Sequence, residues 1–283
     1  MKKTLFVILA IAFCCSAFAQ SEKGRSVNTN MFEARLDLEE VYRDGNVVFR
    51  KIDEHTWIGS GHVMASETLY LIEGKKRAVL IDAGTVIPGL DKIVAQITDK
   101  PVTLVLTHVH PDHCGAAGCF DEVWLNPADT VNIPAMMGDY EGKVRYLRDG
   151  QRFRLGGRTL ETFFTPGHTP GSTTFLETGT DTGYSGDSFG NGNLLLTTDF
   201  TTLINTCKKS YDYFSRHGYG KFYNGHFFGN NFETLKRIKD LQHIAEEVLA
   251  GTLEGEKVPE NFGLDRLIVR DGVRVNYGDA QLK

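Results

Sequence analysis

The sequence predicts an α/β protein in which two mixed sheets pack face to face and helices cover their outer surfaces. Three observations lead to this fold class. Most predicted strands come in hairpin-sized pairs, and helical segments interrupt the series. The strands contain aliphatic runs that need cover on both faces. Two later segments repeat apolar residues with the 3.6-residue period of an amphipathic helix.

The predicted strands begin near residue 46 and are short. They are Val47–Phe49, Trp57–Ile58, Thr68–Ile72, Ala78–Ile81, Pro101–Thr107, Val123–Leu125, Thr159–Phe164 and Thr173–Leu176, with a closing hairpin of Leu267–Val269 and Val273–Val275. Turn residues bound these runs, as at Asp271-Gly272 in the hairpin. No change of composition marks a second domain among residues 46–283.

Three helices are predicted between these strands. The first covers Leu90–Ile97. Each of the two longer helices places its apolar residues on one face. These faces are Phe200, Leu203, Ile204, Cys207, Tyr211 and Phe214 in one helix, and Phe232, Leu235, Ile238, Leu241, Ile244 and Val248 in the other.

Composition and charge narrow the possible functions. Of the 283 residues, 41% are hydrophobic and 24% charged, which is typical of a folded globular protein. The formal net charge is −5. Because the chain is acidic and has no basic tract, we expect a small-molecule substrate and no nucleic-acid partner.

Residues 1–19 have the features of a secretory signal peptide. Lysines occupy positions 2 and 3, an apolar run covers residues 5–13, and Ala17-Phe18-Ala19 is a small-x-small cleavage site. The run is too short for a permanent membrane anchor. We expect cleavage near Ala19/Gln20 and a periplasmic or secreted protein without stable membrane insertion. Loss of the two lysines would take the net charge to −7.

A lipoprotein signal, with Cys14 or Cys15 lipidated, is the alternative. Phe13 is bulkier than the small residue usual at that position, which disfavours it. Residues 20–45 are polar and are predicted to form an N-terminal arm. Three cysteines remain after cleavage, an odd number that does not indicate a disulfide framework.

A cluster of potential metal ligands follows the strand that ends at Thr107. The segment His108-Val109-His110-Pro111-Asp112-His113 contains four such side chains, and a strand end presents them near one point. Imidazole nitrogens and carboxylate oxygens suit zinc, and imidazole also suits other first-row metals. Ordinary surface histidines at a turn are the alternative interpretation.

Three further candidates lie at the ends of apolar strands. His168 lies in Thr-Pro-Gly-His-Thr-Pro-Gly-Ser, Asp187 in Tyr-Ser-Gly-Asp-Ser, and His226 in Phe-Tyr-Asn-Gly-His. Proline and glycine constrain the backbone there and remove bulk beside the candidate side chain. The alternative is a hydrogen-bonded loop histidine or a turn aspartate at each position.

In this order, and with Asp82 in Leu80-Ile81-Asp82-Ala83-Gly84, the motifs resemble the metallo-β-lactamase-fold hydrolase superfamily. The resemblance runs from about residue 47 to about residue 248. It implies an αββα sandwich with a two-metal site along one edge. The implied ligands are His108, His110 and His168 for the first ion, Asp112, His113 and His226 for the second, and Asp187 between them. Asp82 would orient the ligand loop without binding metal.

The bridging Asp187 resembles the glyoxalase II-like and lactonase-like branches, because true β-lactamases lack that carboxylate. The resemblance implies a hydrolase with two divalent ions, zinc by preference, with iron or manganese as alternatives, and the signal-peptide features add the expectation of export. A hydroxide between the ions would attack an ester, lactone or thioester carbonyl, with Asp112 and Asp187 as catalytic residues. β-Lactamase-like amide hydrolysis, phosphodiester hydrolysis and a non-hydrolytic metal-binding role remain open alternatives.

Residues flanking the candidate ligands are possible substrate contacts. His62 lies in a loop that could overhang the site, and a solvated loop histidine is the alternative. The other three flank ligand positions, and packing in the core or a strand is the favoured alternative for them: Tyr184, Tyr223 and Asn224. Phe189, Phe227 and Phe228 could form an apolar wall. Cys114 is expected to be a small core residue, with a position facing the metal cleft as the alternative, and Lys236-Arg237 are expected to be ordinary helix-surface charges. The closing hairpin could pair with a second subunit in a homodimer.

Overall fold

The computed structural model describes residues 33–34, 36–63, 66–190 and 192–283. The predicted signal peptide, its cleavage site and the candidate lipidation cysteines lie outside the described residues. So does the first part of the predicted N-terminal arm. No helix within the described ranges is long and apolar enough to cross a membrane.

The first sheet has eight strands. They are β1 Glu40–Arg43, β2 Val47–Asp53, β3 Thr56–Gly61, β4 Thr68–Glu73, β5 Ala78–Ile81, β6 Val102–Val105, β7 Glu122–Leu125 and β8 Lys143–Tyr146. They lie side by side in chain order. Strands β1 to β5 pair antiparallel, and β5 to β8 pair parallel, so the sheet is mixed. Strand β1 lies within the predicted arm.

The second sheet has five strands. They are β9 Arg152–Arg154, β10 Thr159–Phe164, β11 Thr173–Glu177, β12 Thr182–Gly186 and β14 Lys221–Asn224. Their order is β14-β12-β11-β10-β9. Only the β12–β14 pair is parallel, so this sheet is mixed as well.

A third, four-stranded sheet lies beside the two predicted ones. Its strands are β13 Leu194–Leu195, β15 Glu256–Asn261, β16 Leu264–Arg270 and β17 Val273–Tyr277. The predicted closing hairpin forms β16 and β17. The sequence did not predict the other two strands: β13 has only two residues and pairs with β17 from far along the chain.

Among the described residues, five α-helices connect the strands. They are α1 Leu90–Val94, α2 Pro111–Cys114, α3 Ile133–Met136, α4 Phe200–His217 and α5 Leu235–Leu249. The prediction that α1 reaches Ile97 was too long. The predicted start of α5 at Phe232 was too early, because the Thr234 side chain accepts a hydrogen bond from the Arg237 amide and caps the helix there.

Three apolar layers confirm the sandwich. In β4, Leu69 and Leu71 face the cluster shared with α1, whereas Tyr70 and Ile72 face the second sheet. This alternation follows the two-residue period of a strand that is buried on both faces. A third cluster packs α4 and α5 against the outer face of the second sheet and against the third sheet. The architecture is therefore helix, sheet, sheet, helix.

Candidate metal centre

All candidate ligands lie at one edge of the sandwich, which we call the site edge. Strands β5, β6, β7, β12 and β14 end there, and Thr107 after β6 accepts a backbone hydrogen bond from Thr173 at the start of β11. The short helix α2 starts with Pro111 and carries Asp112 and His113. The fold thus brings together residues that are up to 118 positions apart.

His108, His110 and His168 form the first ligand group. Nε2 of His108 lies 3.0 Å from Nδ1 of His110, and Nε2 of His168 lies 3.2 and 2.9 Å from those two atoms. Nδ1 of His168 donates to the Leu195 carbonyl at 2.9 Å, so its Nε2 presents a lone pair in the neutral ring. Burial lowers the pKa of all three histidines, to about 3 for His110.

These three nitrogens fit a metal ion better than they fit each other. Three neutral imidazoles whose nitrogens converge cannot all be satisfied by mutual hydrogen bonds, because each ring has one N–H. Around a tetrahedral zinc ion with Zn–N bonds of about 2.0–2.1 Å, neighbouring nitrogens would lie about 3.3 Å apart. The observed spacing of 2.9–3.2 Å is close to this value.

Asp112, His113 and His226 form the second ligand group. Oδ2 of Asp112 lies 3.4 Å from Nε2 of His226 and 3.7 Å from Nε2 of His113. Nε2 of His113 is buried and makes no hydrogen bond. A buried nitrogen of this kind costs free energy unless a ligand satisfies it, so this group also fits an ion.

Asp187 lies between the two groups. Its Oδ2 is 3.3 Å from Nε2 of His226 and 3.8 Å from Nε2 of His168, and its Oδ1 is 3.5 Å from Nε2 of His113. One carboxylate therefore faces a histidine of the first group and two histidines of the second.

Charge differs between the groups. Burial lowers the pKa of His113, but neighbouring carboxylates, Asp112 first, outweigh burial and hold it well above its ordinary value. The pKa of His226 is likewise raised, because Asp187 outweighs burial. Burial raises the pKa of Asp187, but His226 and His113 outweigh it and hold the pKa well below the ordinary range.

Asp82 supports the second group from behind. Its Oδ2 accepts from Nδ1 of His113 at 2.8 Å and from the Thr107 hydroxyl at 2.8 Å, and its Oδ1 accepts from the Thr107 amide at 2.7 Å. The backbone of Asp82 is left-handed, with φ of 63°. A non-glycine residue held in that region is strained and is typical of functional sites. Burial raises the pKa of Asp82.

Asp129 supports the first group, and the sequence analysis missed it. It lies in the 3-10 turn after β7, is fully buried, and accepts from the amides of Val109 and Gly171 and from the Thr169 hydroxyl, at 2.7–2.9 Å. It therefore ties the His108–His110 segment to the loop that carries His168. The turn motif Asn126-Pro127-Ala128-Asp129 directly after a buried strand was the available signal.

Two glycines beside these carboxylates leave no room for a side chain. A Cβ on Gly225 would lie 2.2 Å from Oδ1 of Asp187 and 2.6 Å from Cε1 of His113. A Cβ on Gly171 would lie 2.4 Å from Cγ of Asp129. The glycines next to His226 and in the His168 loop are thus required by close approach of the site carboxylates.

The predicted substrate contacts lie away from the ligands or act through the backbone. Tyr184 and Tyr223 are buried between the sheets, where both rings pack against Tyr70. The Asn224 side chain accepts from the His226 amide at 3.0 Å and donates to the Asn231 carbonyl, so it shapes the His226 loop.

His62 is buried beneath the N-terminal segment. Its Nε2 lies 3.4 Å from Glu33 and its Nδ1 lies 3.2 Å from the Gly45 carbonyl. Glu33 in turn pairs with Arg43 and Arg50. The structure therefore places His62 against the chain before β2, and not among the ligands.

Other predicted residues divide between core and surface. Phe189 and Phe227 are buried, and only Phe228 of the expected apolar wall is exposed. Cys114 is buried in the core beside Met136, as expected. Arg237 is not an ordinary surface charge: its guanidinium donates to the carbonyls of Phe189 and Gly272, each at 3.1 Å.

The sequence matches known proteins along most of this fold. The model of the metallo-beta-lactamase superfamily matches residues 66–249, which is more than half of the chain. A probable polyketide biosynthesis zinc-dependent hydrolase, BaeB of Bacillus velezensis, is 31% identical over 135 residues, which cover 44% of this chain and 58% of that protein. The chain thus spans little more than half of this relative.

A longer match and a solved structure agree with this result. The acyl-coenzyme A thioesterase MBLAC2 of Homo sapiens is 24% identical over 213 residues, covering 60% of this chain and 76% of that protein. The structure of a metallo-beta-lactamase from Pontibacter korlensis superposes with a TM-score of 0.57 at 18% identity, covering 71% of this chain and 99% of that one. At this identity the structural likeness concerns the fold.

Proposed function

Because the chain belongs to the metallo-beta-lactamase superfamily, we propose that it is an exported hydrolase that holds two divalent ions. Its substrate would be a small molecule with an ester, lactone or thioester bond. The observation that supports two ions is the position of Asp187. Its carboxylate faces His168 of the first group and His113 and His226 of the second, within 3.8 Å.

The residues of the centre divide the work. When bound, paired ions supply hydroxide near neutral pH and polarise the carbonyl under attack. Asp187 would keep the two ligand groups at a fixed separation, and its negative charge would reduce the repulsion between the two cations. Asp112 reaches the cleft with a side chain that is 12% exposed, so it can orient water and carry a proton to the leaving group.

Zinc is the proposed metal, with iron or manganese as alternatives. Five histidines and two carboxylates suit zinc in a catalytic site. The name of BaeB, a zinc-dependent hydrolase, supports this choice. The name of MBLAC2, a thioesterase, supports acyl transfer to water as the reaction class.

Export and assembly are separate proposals. Export is supported by the lysines, the apolar run and the small-x-small motif of residues 1–19. Mass spectrometry of the protein from the periplasm or medium would test it, since cleavage should leave Gln20 at the N-terminus. A homodimer would use the closing hairpin of β16 and β17, where Val269 is exposed. Sedimentation velocity tests this.

The first experiment measures metal content and hydrolysis together. The metal-loaded mature protein would be given an acyl-homoserine lactone, a glutathione thioester, a chromogenic cephalosporin and an aryl phosphodiester, with Asp112→Asn as the control. We expect two ions per chain and turnover of the lactone or thioester that Asp112→Asn abolishes. A single ion, or a preference for the cephalosporin or phosphodiester, would contradict the proposal.

A further inference from the structure

Lysine and arginine do not occur in the loops that surround the ligand cluster. We call the described residues of these loops the rim: residues 62–63, 66–67, 82–89, 106–116, 126–136, 165–172, 187–190, 192–199 and 225–234. The chain has 31 lysines and arginines, and not one falls in these stretches. Apart from histidine, every ionisable charge in the rim is carried by a carboxylate.

Five basic residues lie at the opposite edge of the sandwich. Lys75, Lys76 and Arg77 form the β4–β5 turn, and Lys143 and Lys221 begin β8 and β14. Because β5, β8 and β14 all run towards the site edge, these cations are separated from the ligands by the length of a strand.

Some described cations lie closer to the site edge, and two of them are in ion pairs. Arg50 binds Glu33 and Glu40, and Lys209 binds Asp149. Arg237 donates to the Phe189 and Gly272 carbonyls and keeps its charge, and Lys283 lies beside Thr201, whose amide donates to its carbonyl. Arg148 lies in the loop that joins β8 to β9, at the outer strands of both sheets.

Large apolar side chains are exposed in the rim instead. Val63 is 37% exposed, Val86 56%, Val131 73% and Phe228 50%. Phe228 is two residues from His226, Val131 is two residues from Asp129, and Val86 is four residues from Asp82. A residue advances the chain by at most about 3.6 Å, so the Cα atoms of Phe228 and Val131 lie within about 7 Å of those of His226 and Asp129, and that of Val86 within about 14 Å of that of Asp82.

We infer that the site takes substrates that are uncharged away from the scissile carbonyl and that carry an apolar acyl chain or ring. This inference rests on the proposed hydrolase function and narrows it to neutral esters, lactones or neutral thioesters. Coenzyme A carries phosphates and glutathione carries carboxylates. In this rim those groups would lose hydration without gaining a cationic partner. The apolar side chains would instead favour an apolar part of the substrate, because covering it removes apolar surface from water.

Three thioesters of one acyl group test the inference directly. Hexanoyl-N-acetylcysteamine is neutral, whereas S-hexanoylglutathione and hexanoyl-coenzyme A are anionic, and all three contain the same scissile bond. We expect kcat/KM for the neutral thioester to exceed the other two by about tenfold or more, equivalent to about 1.4 kcal/mol. We also expect its kcat/KM to be unchanged by ionic strength, since no charge attraction is involved.

A lysine introduced into the rim should alter this preference. Val131→Lys places a cation at the most exposed apolar position of the rim, and Val269→Lys, at 61% exposure on the third sheet, is the matched control. We expect Val131→Lys to raise the ratio of kcat/KM for coenzyme A to that for the neutral thioester several-fold. The control should leave the ratio unchanged.

A binding measurement separates this inference from turnover. The 2-oxoheptyl thioethers of pantetheine and of coenzyme A keep the ketone but lack a cleavable bond, and calorimetry gives their affinities. Tighter binding of the pantetheine compound supports the inference. Preference for coenzyme A or glutathione, in binding or in turnover, overturns it and leaves the hydrolase function standing. If the ion-loaded protein hydrolyses none of the three thioesters and does not hydrolyse N-decanoyl-homoserine lactone, both proposals are overturned.

Discussion

The two ligand groups share one edge and one bridging carboxylate, yet they differ in charge. The first group consists of three neutral histidines whose pKa values burial lowers. The second combines Asp112 with two histidines whose pKa values neighbouring carboxylates raise. The first group is therefore ready to bind a cation as it stands, whereas the second must release protons to do so.

The groups also have separate supports. Asp129 holds the backbone on both sides of the first group through Val109, Thr169 and Gly171. Asp82 holds His113 directly and reaches the first group only through Thr107. Asp129 therefore holds mainly backbone, whereas Asp82 holds the ring of His113. We expect removal of the two carboxylates to have different effects on metal binding and stability.

Removing the shared carboxylate should have the largest effect. We expect Asp187→Ala to lower the metal content from two ions to one and to reduce kcat more than about 100-fold, beyond what loss of an outer-shell partner costs. Asp181→Ala, an exposed aspartate just before β12, is the control and should keep both. Elemental analysis with steady-state kinetics makes the test. Retention of both ions and full activity in Asp187→Ala would show that the assignment is wrong.

Changing each support should affect one group selectively. We expect Asp82→Asn to weaken binding of the second ion about 10–100-fold while the first ion is nearly unaffected, because His113 loses its fixed orientation. Cobalt titration followed by absorption measures the two affinities. Weakening of both ions to the same degree would contradict separate supports.

Asp129→Asn is the complementary variant. We expect it to weaken the first ion about tenfold and to lower the free energy of unfolding by about 1–3 kcal/mol, because buried donors lose their charged acceptor. Urea unfolding of the metal-free protein measures the second effect. Asp82→Asn and Asp129→Asn serve as controls for each other, and an identical pattern in both would refute the distinction.

A chelator should remove the two ions at different concentrations. In the second group Asp112 and His226 are 12% and 14% exposed and one ligand, His113, is fully buried, whereas in the first group His108 and His168 are almost fully buried and one ligand, His110, is partly exposed. We expect dipicolinate to remove the second ion at about tenfold lower concentration than the first. Zinc release followed with a chromogenic indicator would show two steps, and a single step would contradict the difference between the groups.

The smallest effect is expected from the tyrosines between the sheets. Tyr184→Phe and Tyr223→Phe should change kcat/KM less than about twofold, because both rings pack against Tyr70 and not against the ligand groups. A loss of about tenfold or more, measured on the preferred substrate, would instead place a hydroxyl at the reacting carbonyl.

The sequence predicted the features that depend on local patterns. Aliphatic runs gave the strands around β4, β5 and β6, and the 3.6-residue period gave α4 and α5. The ligand motifs were visible because each combines a strand end with glycine or a histidine cluster. The structure places them together in the two ligand groups, with Asp187 between them.

Features that depend on distant pairing were missed. Strand β13 has two residues and is defined only by its pairing with β17. Asp129 acts through loops 20 and 42 positions away, which no local pattern records. Tyr184 lies three residues before Asp187, but Gly186, with φ of 52°, turns the chain between them. Proximity in sequence therefore suggested a contact that the backbone prevents.

The close fit at Gly225 determines how the protein tolerates change. A methyl group there would overlap a carboxylate oxygen of Asp187 and the ring of His113. In a complete mutational scan scored for activity, Gly225 should tolerate substitution as poorly as the ligand histidines do, although it has no side chain that could bind metal. Descendants of this chain can therefore change their substrates through the rim, while Gly225 and the ligands beside it stay the same.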